Sequence, residues 1–199
     1  MSDIFDHIAD KSNLLHAWKL VKAKGKSGGV DSITIEKFDL DCGKYLDLLY
    51  NQLVENIYSP EPYRSFTIPK SDTEFRRLGL PAIKDKIVQT AARIVIEPLF
   101  DRKFINVSYG YRQGRGPIKA INRIRHRIGS EYRKWVTIAD IDDYFDSIKP
   151  DILFSLVEKE ISSPRLIKLW VKIGSMNFRN KYEPYSTGIP QGCVLSPLL

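Results

Sequence analysis

Four carboxylates fall within seven residues in Asp140-Ile-Asp-Asp-Tyr-Phe-Asp146, directly after the apolar run Trp135-Val-Thr-Ile-Ala139. Like charges held this close repel one another unless a cation or a basic partner neutralises them, so the cluster suits a hard, oxygen-preferring metal such as Mg²⁺. An EF-hand loop is excluded, because Phe145 occupies the position that must be Gly and Asp151 the position that must be Glu. If the apolar run is a strand, Asp140 and Asp142 share a face and Asp143 points to the other. Phosphoryl or nucleotidyl transfer with two metals would use Asp140 as a bridging ligand at that strand end. One carboxylate cannot hold two ions. The competing reading is a strand end running into a helix cap and a solvated first turn.

A second candidate is Lys24-Gly-Lys-Ser-Gly-Gly29, whose Gly-Lys-Ser invites a phosphate-loop assignment. That motif needs a glycine five positions before Gly25, where Leu20 stands, and a strand rather than a helix ahead of it. It is rejected. The two cysteines, Cys42 and Cys193, have neither a CxxC partner nor a nearby histidine cluster, so they read as reduced thiols rather than a zinc site or a disulfide framework.

These groups sit in a chain of 199 residues with 31 Lys and Arg against 24 Asp and Glu, a net charge of +7. With 43% hydrophobic and 28% charged residues it fits a folded protein and excludes disordered and collagen-like classes. A chain of this size buries roughly 70% of its unfolded surface, enough for a core without staples. The N-terminus carries early acids and no apolar run, and no apolar stretch is long enough to cross a membrane. The charge is segregated. Between Tyr63 and Trp135 stand 17 Lys and Arg and six Asp and Glu, so that window nets +11 and leaves −4 for the remainder. Such an excess favours a polyanion partner, with nucleic acid leading.

The elements that must position these residues are read from periodicity. Helices are expected at about 13–23 and 35–56. Residues 63–70 and 75–81, separated by the Ser71-Asp-Thr-Glu74 turn, read as a hairpin with basic residues on both arms. From Ile83 to about Phe104, Ile87, Ala91, Val95 and Leu99 keep the spacing of a core-facing helix. Further helices are expected at 117–132, 150–160 and 164–173, a strand at 135–141, and strand or hairpin material at 177–187. Ser196-Pro197 is a helix-start signal, so the chain is expected to stop as an element begins.

Taken in order, the blocks resemble a bacterial reverse transcriptase of the group II intron type. They are Gly29-Val-Asp-Ser-Ile-Thr34, Ile68-Pro-Lys70, Arg76-Arg-Leu-Gly-Leu-Pro81 with Lys84-Asp-Lys-Ile-Val-Gln89, and Glu97-Pro-Leu-Phe100. They continue with Ser108-Tyr-Gly-Tyr-Arg-Gln-Gly-Arg115, Asp140 to Asp146, and Gly188-Ile-Pro-Gln-Gly192 with Ser196-Pro-Leu-Leu199. Any one block is weak; their order along nearly the whole chain carries the resemblance.

The resemblance implies an α+β fold, the fingers and part of the palm of a right-hand polymerase. Residues 1–62 would be an N-terminal helical extension and the start of the fingers, 63–134 the fingers, and 135–199 a partial palm. It implies RNA-directed DNA synthesis from a dNTP onto a DNA or RNA primer copying an RNA template, with two Mg²⁺ ions, in a bacterial cytoplasm. Asp140 would be the catalytic metal ligand and the carbonyl of Ile141 part of the second ion's shell. The N–H groups of Asp143 and Tyr144 would meet the triphosphate. Phe145 would be the gate whose ring excludes a 2′-hydroxyl. Lys70 and Arg76 would close on the β- and γ-phosphates, and Gln191 would touch the nucleotide. Leu78, Gly79, Gly110 and Arg112 would line the template, reading backbone rather than sequence.

Three departures are visible. Arg77 and Gln113 stand where the family often has Pro, and its second acidic block, the paired aspartates, would lie beyond Leu199. By that reading the 199 residues alone are expected to bind nucleic acid but not to polymerise. Two rival readings are a non-catalytic RNA-binding maturase or scaffold module and a template-independent nucleotidyl transferase of a defence system. The retention of Asp140, Phe145 and Gln191 argues against the first, since RNA binding needs none of them.

Overall fold

The structure is a computed structural model that describes residues 3–25, 29–69, 72, 75–130, 134–174, 188–189 and 192–195, the side chains at 65, 76 and 77 excepted. Helices α1 (Ile4–Ala9), α2 (Lys11–Lys24), α3 (Ile35–Leu40) and α4 (Cys42–Val54) precede the hairpin β1 (Arg64–Pro69) and β2 (Phe75–Leu80). Then follow α5 (Ile83–Asp101), α6 (Pro117–Ser130), α7 (Tyr144–Ser147), α8 (Pro150–Glu160) and α9 (Pro164–Gly174). Among the described residues the fold is thus α+β, mostly helical with one two-stranded antiparallel sheet.

The long helix α5 is the spine. Its buried positions are Ile83, Ile87, Val88, Ala91, Ala92 and Ile96, a stripe at helical spacing that drifts from the expected one. Leu99, expected in the core, is 39% exposed because the stripe has rotated past it by the last turn. Helix α2 packs against α5 through Leu14, Ala17, Trp18 and Val21. Asn13 ties the two N-terminal helices to the spine, donating from Nδ2 to the Ile8 carbonyl at 3.2 Å and the Ala91 carbonyl at 3.1 Å.

Two features of the N-terminal region differ from expectation. The first helix begins at Ile4, where Asp3 and Asp6 form a capping box that satisfies free N–H groups at the helix start. The single helix expected over 35–56 is broken at Asp41, whose φ of −118° and ψ of 29° leave the helical region. The break lets Phe38, 1% exposed, stack on Tyr45 at 4.7 Å and lie against Trp18 at 4.5 Å, while Leu40 is turned out to solvent.

The hairpin forms where its alternation predicts, with Phe66 opposite Leu78, Ile68 opposite Arg76 and Pro69 opposite Phe75. The strand expected at 135–141 does not form: the run pairs with no other strand among the described residues. Trp135, Val136, Ile138 and Ile141 are 91%, 64%, 90% and 66% exposed. An alternating apolar run becomes a strand only when a neighbour supplies its backbone bonds. The strand or hairpin material expected at 177–187 lies outside the described residues. Helices α8 and α9 pack on each other and α9 on α1. One apolar cluster joins α1, α2, α3, α4, α5, α8, α9 and the residues Ile189, Cys193 and Leu195.

Candidate nucleotide and template site

The end of β2 runs straight into α5, and two close backbone approaches fix that corner. A Cβ on Gly29 would lie 2.4 Å from the Ala82 Cα and 2.6 Å from its nitrogen, so the backbone at Ala82 occupies the space a side chain at position 29 would need. On the other side, Gly192 has a φ of +100°, and a Cβ there would stand 2.6 Å from the carbonyl oxygen of Gly79. Both constraints demand glycine.

The segment around Gly192 is clasped from three directions. Gly188 donates its N–H to the Ile148 carbonyl at 2.6 Å and Ile189 donates to the Phe145 carbonyl at 2.9 Å. Gly192 abuts Gly79. Beyond it, the side-chain oxygen of Gln89 accepts from the Val194 N–H at 2.8 Å and from the Cys193 Sγ at 3.0 Å. The backbones at Phe145 and Gly79, from blocks far apart in the chain, thereby meet Ile189 and Gly192 respectively. Pro190 and Gln191 themselves lie outside the described residues, as does Lys70. Arg76 is placed by its backbone in β2, opposite Ile68.

Phe145 is half-buried and meets Tyr144 edge-on at 5.2 Å. Asp143 takes the left-handed conformation, φ 44° and ψ 39°, and its carbonyl accepts from the Asp146 and Ser147 N–H groups, each at 2.9 Å. The turn leaves the N–H groups at the start of α7 without helical acceptors. Asp140 and Ile141 are exposed, and the Asp140 Oδ1 accepts from the Ile141 N–H at 3.0 Å. The other carboxylate oxygen and the Ile141 carbonyl are hard donors of the type Mg²⁺ takes. Among the described residues no three carboxylate, histidine or cysteine groups converge on one metal position. The donor chemistry fits an ion that draws its remaining ligands from elsewhere.

Arg112 is spent on the protein. Its Nε donates to the Asp101 carboxylate at 2.6 Å, Nη1 to the carbonyls of Ile105 and Ser108 at 3.1 and 3.2 Å, and Nη2 to the Asp101 carbonyl at 3.2 Å. Its side chain is 7% exposed, and its hydrogen bond holds the Asp101 carboxyl below the usual carboxylate range. Four of its five N–H donors are thus bonded within the protein, and the guanidinium ties the C-terminal end of α5 to the loop that carries the exposed Gly110. Leu78 is half-buried and Gly79 buried.

A groove of about 1060 Å³ runs beside this corner, with Leu80, Pro81, Lys86, Arg93, Tyr111 and Gly192 among its walls. Arg93 is fixed there by a two-pronged pair with Glu97 at 2.9 and 3.1 Å. Burial pushes the Lys86 ammonium below its ordinary value, partly countered by Asp31.

Sequence reasoning missed the buried polar layer under the site. Asp85 is 1% exposed; it accepts from the Tyr58 hydroxyl at 2.5 Å and the Glu61 N–H at 2.9 Å, and burial raises its pKa to about 6. The Tyr63 hydroxyl reaches the Ile173 carbonyl at 3.3 Å and contacts Gln89 and Cys193, and burial drives its pKa well above the ordinary value. The signal was present: Asp85 and Gln89 are polar residues set at helical spacing within the apolar stripe of α5.

Residues 68–199 match the family model for reverse transcriptase (RNA-dependent DNA polymerase). The chain belongs to the reverse transcriptase family. It is 34% identical over 177 residues to Protein YkfC of Escherichia coli (strain K12), covering 86% of this chain and 46% of that protein. It is 33% identical over 155 residues to the group II intron-encoded protein LtrA of Lactococcus lactis subsp. cremoris, covering 76% of this chain and 25% of that one. A chain of the solved Cas6-RT-Cas1--Cas2 complex shares its fold, with a TM-score of 0.63 at 23% identity over 99% of this chain and 20% of that one. This reverse transcriptase chain therefore spans less than half the length of these relatives. No helix among its described residues is long and apolar enough to cross a membrane.

Proposed function

We propose that these residues form the nucleotide- and template-gripping part of an RNA-directed DNA polymerase, which extends a DNA or RNA primer with dNTPs. The observation that carries the reading is the close contact of Gly192 with Gly79 together with the bond of Ile189 to the Phe145 backbone. In this reading the backbone at Gly79 is the template side, and the segment that abuts it is bonded to the Phe145 backbone. In this proposal Leu78, Gly79 and Gly110 lie along the template, and Arg112 acts by holding Gly110's loop. Lys70 and Arg76 neutralise the β- and γ-phosphates, and the N–H groups of Asp143 and Tyr144 bind triphosphate oxygens. Gln191 contacts the nucleotide, and the half-buried ring of Phe145 closes the space a 2′-hydroxyl would occupy.

Asp140 and the Ile141 carbonyl would hold Mg²⁺, two ions in the complete site, which when bound supply charge stabilisation for attack of the primer 3′-hydroxyl on the α-phosphate. With one acidic block and no converging ligand group among the described residues, the 199 residues alone are proposed to bind template without polymerising.

The test is primer extension on an RNA template by the polymerase that carries these residues, with product sequencing. Template-complementary DNA made only with Mg²⁺ present supports the proposal. Equal product without template assigns a template-independent transferase instead. RNA binding without synthesis, indifferent to Asp140→Ala, assigns a binding module.

A further inference from the structure

We propose that the groove beside the β2–α5 corner is a subsite for one unpaired nucleotide of the template strand, with the Tyr111 ring as the platform on which its base stacks and Lys86 as the cation that meets its phosphate. The inference deepens the reading that template lies along Leu78, Gly79 and Gly110, and it rests on that reading. The groove, of about 1060 Å³, is continuous with that backbone, since its walls include Leu80 and Pro81, the residues that follow Gly79 in the chain.

Tyr111 stands out by its backbone and by its exposure. Among the described residues four that are not glycine have a positive φ: Ser32, Asn56, Asp143 and Tyr111, the last at 55°. The first three are small polar residues; a bulky ring gains nothing from the left-handed region and costs energy there, so the outlier points to a use. The residue is 69% exposed. Two other aromatics nearby are covered: the Arg112 guanidinium lies over the Phe104 ring at 5.2 Å and the Arg115 guanidinium over the Tyr109 ring at 5.7 Å. Tyr111 instead forms part of the groove wall. Its loop is bonded on both sides of it. The Arg93 Nη2 donates to the Tyr111 carbonyl at 3.4 Å, Arg112 makes its four bonds next door, and the Lys119 Nζ donates to the Gly114 carbonyl at 2.5 Å. An aromatic ordered in advance loses little freedom when a base stacks on it.

The walls that face this ring supply the rest of a single-strand site. Lys86 and Lys24 bring positive charge beside apolar Leu80, Pro81 and Ile94, in a chain whose stretch from Tyr63 to Trp135 nets +11. A stacking platform next to cations suits a strand of bases and phosphates; an apolar polypeptide would use the platform and leave the cations without anionic partners.

The test measures, in the polymerase that carries these residues, equilibrium affinity for primer–template duplexes with a 5′ single-stranded template overhang of about six nucleotides, a single abasic site being walked along it. In wild type one overhang position is expected to lose roughly tenfold in affinity when its base is removed. Tyr111→Leu is expected to lose the same factor on the intact template and to be indifferent to the abasic site at that position, so that the two losses do not add. Tyr111→Phe should behave as wild type. Tyr111→Asn suits the left-handed backbone; it should bind as weakly as Tyr111→Leu with no fall in the unfolding midpoint, which separates the ring from the fold. Lys86→Gln should weaken intact and abasic templates equally and reduce the slope of log affinity against log salt by about one. Losses that add, or an abasic walk that changes nothing, would mean that no base stacks on Tyr111, and would overturn the subsite while the template reading stands; an apolar polypeptide retained by wild type and lost by Tyr111→Leu would then assign the groove to it. An unchanged salt slope in Lys86→Gln overturns the phosphate contact. If wild type gains no affinity from the overhang at all, the template reading of this corner fails, and this inference with it.

Discussion

Gln89 and Cys193 are 1% and 7% exposed and bonded to each other across 104 positions of sequence, whereas Trp135 and Ile138 stand 91% and 90% exposed with no strand beside them among the described residues. Both regions carry residues of the candidate site. The first is assembled by interior polar bonds and close glycine contacts that leave little freedom. The second presents carboxylates to solvent on backbone that nothing described holds in a ladder. The difference teaches that the contact of Gly192 with Gly79 is built into the core of this chain, while the acidic run stands exposed with no strand beside it among the described residues.

The largest effect that would sharpen this contrast is on selectivity. Phe145→Ala opens the space beneath the sugar and should lower discrimination between dNTP and rNTP by roughly 10–100-fold in single-nucleotide incorporation. Unchanged discrimination would remove Phe145 from the gate. On the buried side, Gly192→Ala places a Cβ 2.6 Å from the Gly79 carbonyl at a φ of +100°. It should cost about 2–4 kcal/mol in urea unfolding, combining overpacking with backbone strain. A cost below that of an ordinary surface change would mean the loop is not seated on β2.

The polar layer gives a pH signature of similar size. Asp85 binds its proton more tightly folded, with a pKa of about 6, than unfolded, near 3.8. Folding takes up a proton between those values, so the contribution of Asp85 is greatest at low pH and is lost as pH rises through 6. The loss approaches about 3 kcal/mol. Unfolding free energies of wild type and Asp85→Asn from pH 4 to 7 should differ by a component of that sign; parallel curves would contradict the buried placement. The smallest effect belongs to the exposed run. Trp135→Ser in the 199-residue chain should change stability by less than about 0.5 kcal/mol, and a larger loss would mean the run is packed.

How much of this was legible in the sequence follows from where the forces are local. The hairpin and α5 were readable because alternation and helical spacing report burial directly. The break at Asp41 was not, since it serves the stacking of Phe38 between Trp18 and Tyr45, a contact periodicity does not register. The run 135–141 has a strand's pattern, but pattern supplies only half of a strand; the other half is a partner's backbone. Of the candidate site, Phe145 and Gly79 were named from the sequence and Gly192 stood in a named block, while the bonds of Gln89 to Cys193 and Val194 were not foreseen, although their signal was a polar residue within an apolar stripe. Arg112 was legible as a cation beside Gly110, but not as a group whose donors Asp101 and three carbonyls already occupy.

The central claim is a division of labour: chemistry at Asp140, and grip and stability in the clasp. It is tested most directly by Asp140→Ala in the polymerase that carries these residues, measured for RNA-templated extension and for unfolding free energy on the same preparation. The account predicts loss of extension by at least about 10³-fold with stability changed by less than about 0.5 kcal/mol. Extension that survives the substitution, or is lost together with the fold, would contradict it.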